Sequence, residues 1–362
     1  MPRLLHTADW QLGLKLRFIE GDRGAEARLE RFAAVRRLAA LARERSVDVV
    51  LVAGDVFDDN AVGADVLERA VDALRVFAPT PVLLLPGNHD AGTPDCVLRR
   101  LPALPHVRAL LDREPVRLGA LTVYPCPLLR RHERDDPTRH LPPRGDDATV
   151  RVAVAHGGAI DFDEQGETPN VIDVDAVLAK GFDYLALGDW HGVKEMRPRA
   201  WYAGAPEPTR FKEKAPGYAL IVDLDGPGAP PRVEAVRVAR TRWLQREWQL
   251  DADADVDALL AWLAALPERS ATLVELTVVG SLSLAARSRL DAALDEEAGR
   301  FMHLRVDAAG LVVAPSEADF EGLGVEGFVA EAIRRLREGA DPRDADALRL
   351  LHRLLTSGGE AC

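Results

Sequence analysis

The sequence predicts an α/β protein: a β-sandwich flanked by helices, then a small α/β unit and a helical C-terminal tail. Three observations carry that expectation. Short apolar, β-rich runs alternate with amphipathic helical stretches through the first part of the chain. The alternation restarts after residue 240, and the last stretch keeps only helical periodicity. The 362 residues also exceed what one ordinary core organises, since chains usually split into domains beyond about 250 residues. The pattern changes place domains at 1–240, 241–315 and 316–362.

The first strand-like runs are 3–7, 47–53, 81–85, 121–125, 150–155 and 184–187. Between the first two, residues 25–44 set Leu29, Phe32, Val35, Leu38 and Leu41 at helical spacing, which predicts a helix packed on a sheet. A second helical stretch, 64–77, precedes the third strand. Residues 130–147 hold Pro137, Pro142 and Pro143 among clustered charges and predict a surface loop. Strands at 201–203, 218–223 and 232–238 follow, the last two joined by the turn Asp225-Gly226-Pro227-Gly228. The next unit reads as strand 243–250, helix 256–266, strand 271–279, helix 284–297 and strand 303–306. Tail helices at 325–337 and 344–355 are parted by Gly339-Ala340-Asp341-Pro342, where Asp and Pro suit an N-cap and a first helical position. Their apolar stripes are Phe328, Val329, Ile333 and Leu336, then Leu348, Leu351, Leu354 and Leu355. Such stripes suit packing on the chain's own surface or docking to a partner helix.

Apolar residues at 47% and charged residues at 29% give a globular balance, and no apolar run is long enough to span a bilayer, so no membrane association is expected. No signal peptide is visible before the first strand, and the expected compartment is the cytoplasm. Cys96, Cys126 and Cys362 make neither a CxxC pair nor a disulfide framework and are expected to be reduced. The net charge of -12 opposes a general nucleic-acid coat protein. A function on DNA would need a local basic patch, metal ions or a partner.

Five polar motifs each follow an apolar run: Asp9-Trp10-Gln11, Gly54-Asp55, Gly87-Asn88-His89-Asp90, His156-Gly157 and Gly188-Asp189-Trp190-His191. Rigid strands would deliver these side chains to one rim of a sheet. Carboxylates, amide oxygens and imidazoles together are a donor set for divalent metals. The order of motifs resembles the calcineurin-like metallophosphoesterases. More specifically, His6-Thr7-Ala8-Asp9-Trp10 and Gly54-Asp55-Val56-Phe57-Asp58 resemble the SbcD-type DNA exonucleases, with the core likeness over residues 1–240 and the α/β segments of 241–315 resembling that family's capping domain.

That resemblance implies two divalent ions. Asp9, Gln11, Asp55 and His191 would hold one, and Asp55, Asn88, His156 and Asp189 the other, with Asp55 shared. It implies hydrolysis of DNA phosphodiester bonds by a metal-bound hydroxide, with His89 stabilising the transition state or protonating the leaving oxygen and Asp90 orienting its ring. It further implies a homodimer working with an SMC-like ATPase bound through the C-terminal helices.

Gln11 and Asp189 stand where that family usually carries histidine. Oxygen donors at both positions move the expected metal toward manganese, or magnesium, and away from zinc; the rival expectation is a Gln11 site that binds loosely or stays empty, leaving a single-metal enzyme or an inactive subunit. Within 191–214, an excess of positive charge makes Lys194, Arg197, Arg210 and Lys212 candidate substrate-binding residues; a solvated loop is the plain alternative. His6, in an apolar strand, is expected to be a core residue or one that stands behind the ligands, outside the ligand set. Three other functions stay open: a stand-alone phosphodiesterase acting on nucleotides or small phosphate esters, a catalytically inactive regulatory or DNA-binding subunit, and, least favoured because no export signal is visible, a secreted or lipid-acting phosphoesterase.

Overall fold

A computed structural model describes residues 1–160, 170–313 and 327–338, with single positions between 343 and 355. The chain divides into two compact units, Met1–Arg242 and Trp243–Cys362.

The first unit runs β1 (Arg3–Thr7), α1 (Gly21–Glu44), β2 (Val49–Ala53), α2 (Ala64–Arg75), β3 (Val82–Leu85), β4 (Val107–Ala109), β5 (Val116–Leu118), β6 (Leu121–Cys126), β7 (Val150–His156), α3 (Val174–Ala179), β8 (Tyr184–Gly188), β9 (Lys194–Arg197), β10 (Ala200–Tyr202), β11 (Tyr218–Asp223) and β12 (Arg232–Arg237). These strands form two six-stranded sheets, ordered β12-β11-β1-β2-β3-β4 and β5-β6-β7-β8-β10-β9. β1 to β4 are parallel, with β11 added antiparallel to β1. β6, β7, β8 and β10 are parallel as well, with β5 and β9 as antiparallel edges.

Alternation explains the layers. In β2, Val49, Leu51 and Ala53 join a core with Val152, Val154 and Ala186 of the other sheet, while Val50 and Val52 face Phe32, Val35 and Leu38 of α1. Both faces of the strand are covered, so it reads as one unbroken apolar run. On the second sheet, Ala153, Ala155, Leu185 and Leu187 turn outward to Val177, Ile172 and Phe182. The result is a sandwich with helices outside both sheets, as the sequence predicts. Parallel strands all end at one edge, which gathers the loops after β1, β2, β3, β7 and β8.

Some local expectations change. Leu29 is 43% exposed, and the neighbouring Arg31 is buried instead, for a reason given by the site below. The short edge strands β4, β5 and β9 are not anticipated by the apolar pattern, because three or four half-buried residues leave little periodicity to read. Cys96 and Cys126 are free and buried.

The second unit has β13 (Arg242–Leu250), α4 (Asp253–Ala265), β14 (Thr272–Leu282), α5 (Leu284–Ala298), β15 (His303–Val313) and α6 (Phe328–Glu338). Its sheet is ordered β13-β14-β15, with β14 and β15 parallel. Leu259, Leu263, Leu290 and Leu294 of the helices pack on Val274, Leu276 and Val278. In the tail, Ile333 and Leu348 are buried together with Val329, Leu336, Leu351 and Leu355 against them, so the two apolar stripes meet each other. Phe328 stays 86% exposed. Leu354 and much of the second expected tail helix lie outside the described residues. No helix among the described residues is long and apolar enough to cross a membrane.

Candidate metal centre

The loops after β1 and β2 are zipped together by backbone bonds from Asp9 N to Gly54 O (3.0 Å), Gln11 N to Asp55 O (2.9 Å) and Leu12 N to Val56 O (2.9 Å). This pairing holds Asp9, Gln11 and Asp55 at positive φ (53°, 44° and 52°), and Asp189 at the end of β8 has φ 99°. Non-glycine residues rarely adopt such angles, and where they cluster the surrounding structure is holding side chains in a set direction. Gly87 is required by closeness: a Cβ there would stand 2.1 Å from Asp55 Oδ1. Gly54, at φ 94°, would place its Cβ 2.1 Å from His156 Nδ1.

Asp55 and His156 form the middle of the site. Asp55 is 2% exposed, and its Oδ1 accepts from His89 N at 2.9 Å. His156 donates Nδ1–H to Ala53 O at 2.8 Å and so presents Nε2 to the rim. There Nε2 lies 2.9 Å from Asn88 Oδ1, 3.5 Å from Asp55 Oδ1 and 3.6 Å from Asp189 Oδ1. Turned over, the Asn88 amide would donate to His156 and to both Asp55 oxygens at 2.9–3.3 Å. As placed, its oxygen joins a ring of acceptors. Asp9, Asp55 and His156 bring ligand atoms within 4.8 Å of one another. Burial alone would lower the His156 pKa, but Asp55, Asp9 and Asp189 outweigh it and lift it to about 9. Burial raises Asp9 to about 6, with the nearby histidines opposing. The carboxylates that lift His156 hold a proton on Nε2 among these oxygens, where a divalent cation can take its place, so the donor set fits a metal.

His191 is held on the other side of Asp9, its Nε2 3.9 Å from Asp9 Oδ1 and 3.3 Å from Gln11 Nε2. Its Nδ1 is 2.5 Å from Glu213 Oε1 and 2.8 Å from Thr209 Oγ1. Glu213 also accepts from Thr209 N at 2.9 Å. Burial would raise the Glu213 carboxyl, but its bond to His191 keeps it below the ordinary range; His191, lowered by burial, is raised on balance by Glu213 and Asp9. A carboxylate on the far nitrogen of a ligand imidazole fixes the ring and its tautomer. In the sequence Glu213 counts only as a charge diluting a basic segment, and nothing in its spacing signals the contact.

His89 donates Nδ1–H to Asp58 O at 2.9 Å and directs Nε2 toward Asp55 Oδ2 at 4.0 Å, with the ring 32% exposed. It can therefore meet a substrate beside the carboxylates. Asp90 does not orient this ring, contrary to the sequence expectation. Its carboxylate turns inward and accepts from Gly87 N (2.7 Å) and Phe57 N (3.0 Å), fully buried. Burial, aided by Asp55, raises its pKa to about 7. Asp90 shapes the loop that carries Asn88 and His89.

Arg31 of α1 is 3% exposed and bonds the backbone oxygens of Trp10 (2.7 Å), Gln11 (3.1 Å) and Pro208 (3.1 Å). It ties the first motif to the loop carrying Thr209 and Glu213, and with Glu30 it is one of two charged residues buried in α1. His6 is buried, bonding Tyr184 OH (3.0 Å) and Leu187 O (3.1 Å), and burial pushes its pKa down to about 3. Tyr202 OH donates to Gly157 O at 2.8 Å and accepts from Ala159 N at 2.9 Å, which fixes the loop after β7.

The basic candidates divide. Arg210 lies beside the rim, 3.7 Å from Glu213 Oε1 and 68% exposed, and Lys212 is exposed in the same loop. Lys194 sits opposite Tyr202 at the rim end of edge strand β9, 5.8 Å over the Trp190 ring. Arg197 is displaced: β9 runs antiparallel to β10, so Arg197 pairs with Ala200 at the far end of the sheet and binds Asp175 at 2.7 and 2.9 Å. Register, which a charge count does not see, removes it from the substrate-binding set.

A two-sheet αβ sandwich whose strand ends gather carboxylates, an amide and imidazoles defines a metal-dependent hydrolase of phosphate esters. The calcineurin-like phosphoesterase profile matches residues 2–222. The chain belongs to the calcineurin-like phosphoesterase family and is a metal-dependent phosphodiesterase. It is 26% identical over 336 residues to the SbcD component of the SbcCD nuclease of Bacillus subtilis, covering 80% of this chain and 82% of that protein. It is 29% identical over 263 residues to "DNA double-strand break repair protein Mre11" of Aeropyrum pernix, covering 66% of this chain and 62% of that one. The protein of the same name from Haloferax volcanii is 30% identical over 229 residues, 61% of this chain and 49% of its own length. The chain thus spans about half to two thirds of these archaeal relatives.

Proposed function

We propose that this rim hydrolyses phosphodiester bonds in DNA and that the chain is the nuclease subunit of a homodimeric assembly with an SMC-like ATPase, acting in the cytoplasm. The observation that carries the chemistry is the convergence of Asp55, Asn88 Oδ1 and His156 Nε2 on one another with His89 beside them. Similarity to proteins named as a nuclease and as double-strand-break repair proteins supports DNA as the substrate.

In this reading Asp9, Gln11, Asp55 and His191 hold one cation, and Asp55, Asn88, His156 and Asp189 another. Oxygen donors outnumber imidazoles in that set, which favours manganese, then magnesium, over zinc. Bound divalent ions supply positive charge that clamps a phosphate and lowers the pKa of water. His89 Nε2 faces the position of the substrate and can pass a proton to the leaving oxygen, its Nδ1–H held by Asp58 O. Arg210 and Lys212 attract the DNA backbone to a protein whose net charge repels it. Residues 1–240 form the catalytic domain, 241–315 a cap, and 316–362 a tail that docks the ATPase.

The test is hydrolysis of linear single- and double-stranded DNA by the purified chain with manganese, against Asp55→Asn and His89→Ala. The proposal expects cleavage by the parent protein and its loss in both variants. Cleavage of a chromogenic phosphodiester with none of DNA, even with the ATPase added, would transfer the function to small phosphate esters.

A further inference from the structure

The two sides of the rim differ in how their ligand atoms are engaged. Around Asn88, the Asn88 Oδ1, Asp55 Oδ1 and Asp189 Oδ1 atoms crowd within 2.9–3.6 Å of His156 Nε2, and His156 is already committed through Nδ1 to Ala53 O. Turned over, the Asn88 amide would instead donate to His156 Nε2 and to both Asp55 oxygens at 2.9–3.3 Å, so what marks this side is two carboxylates and an imidazole at close range, a concentration of negative charge that a cation answers. On the other side, Glu213 Oε1 takes the Nδ1–H of His191, which leaves Nε2 as the acceptor, and Gln11 Nε2 stands 3.3 Å away to donate to it. The lone pair that would ligate a metal is therefore engaged by the side chain that replaces a histidine in the first motif.

Gln11 has little freedom to yield. Its N–H is bound to Asp55 O, its carbonyl accepts from Arg31, and the residue is 4% exposed, so only its amide can rotate. Even rotated, it offers one neutral oxygen, a weaker donor than imidazole toward a transition metal. Asp9, whose nearest approach to His191 is 3.9 Å, instead belongs to the compact trio with Asp55 and His156 and can lend its charge to the first cation.

We propose that the two cation positions are unequal and fill in order: the Asp55–Asn88–His156–Asp189 side first and tightly, the Asp9–Gln11–His191 side second and weakly, with Gln11 setting the gap. This rests on the metallophosphoesterase reading of the site and adds an order of loading that departs from a matched pair of metals. At low manganese the protein is a one-ion species, and the second ion acts as a concentration-dependent partner.

The experiment is a manganese titration of the full chain, counting free ion by electron paramagnetic resonance and heats by calorimetry. Two classes of ion are expected, the second weaker by at least about tenfold. Gln11→His should tighten the second class by about tenfold or more and leave the first unchanged, and Gln11→Glu should act in the same direction; Asn88→Ala should weaken the first class. Two ions of equal affinity in the parent protein, or no change with either Gln11 variant, would overturn the order while leaving the phosphoesterase reading intact. A tight ion sensitive to Gln11→Ala but not to Asn88→Ala would reverse it. No manganese bound at all would overturn both.

Discussion

Two buried aspartates, one at each sheet, sit at opposite kinds of strand end, Asp183 before a strand and Asp55 after one, and they differ in how they are satisfied. Asp183, just before β8, accepts from Arg151 N (2.8 Å), Arg144 Nη2 (2.6 Å) and Gly228 N (2.7 Å), so both its oxygens have donors. Asp55, just after β2, has one backbone N–H and otherwise faces His156 Nε2 and the Asn88 amide. Burying a charge is tolerated when it is paired and is costly when it is not. The satisfied end holds the sandwich together; the unsatisfied end keeps its capacity for a cation. The backbone agrees, since Asp9, Gln11, Asp55 and Asp189 all carry positive φ at the rim.

The comparison breaks most sharply under substitution of its two centres. Asp55→Asn should lower phosphodiester hydrolysis by about a thousandfold or more, roughly 4 kcal/mol of barrier, with thermal stability kept or raised because a like charge leaves the cluster. Asp183→Asn should do the reverse. It strands Arg144 and should cost about 3–5 kcal/mol of stability, read by urea denaturation, while activity per folded molecule stays near the parent value. A stable Asp183→Asn protein would remove the contrast.

A smaller effect is expected from Glu213→Gln, which loosens His191 without removing it. Metal affinity should fall by about 10–100-fold with the fold unchanged by circular dichroism. Unaltered affinity would make Glu213 a bystander. His6 lies between the two ends and titrates against folding. Its folded pKa of about 3 is below the free value, so between those pH values the unfolded chain binds a proton that the folded chain refuses, and stability falls as pH drops below about 6.5. By pH of about 5.5 the loss should be about 1 kcal/mol, and it should vanish in His6→Asn.

Much of this was legible because it is local. Each ligand motif trails its strand directly, so apolar runs predict both the sheet and the rim. What escaped depends on distance in the chain or on register. Glu213 reaches His191 from 22 residues further along the chain, beyond two intervening strands. Asp90 is next to His89 in sequence, yet its side chain folds back onto Gly87 and Phe57. Arg31 looks like a flaw in the apolar stripe of α1 until the carbonyls of the first motif come to meet it. Arg197 carries the right charge at the wrong end of an edge strand.

The measurement that tests the account most directly is an anomalous diffraction map from a crystal of the full chain grown with manganese. The account predicts its strongest peak among Asp55, Asn88, His156 and Asp189, with a weaker one between Asp9, Gln11 and His191. A map with no peak at this rim, or with its stronger peak between Asp9, Gln11 and His191, would contradict it.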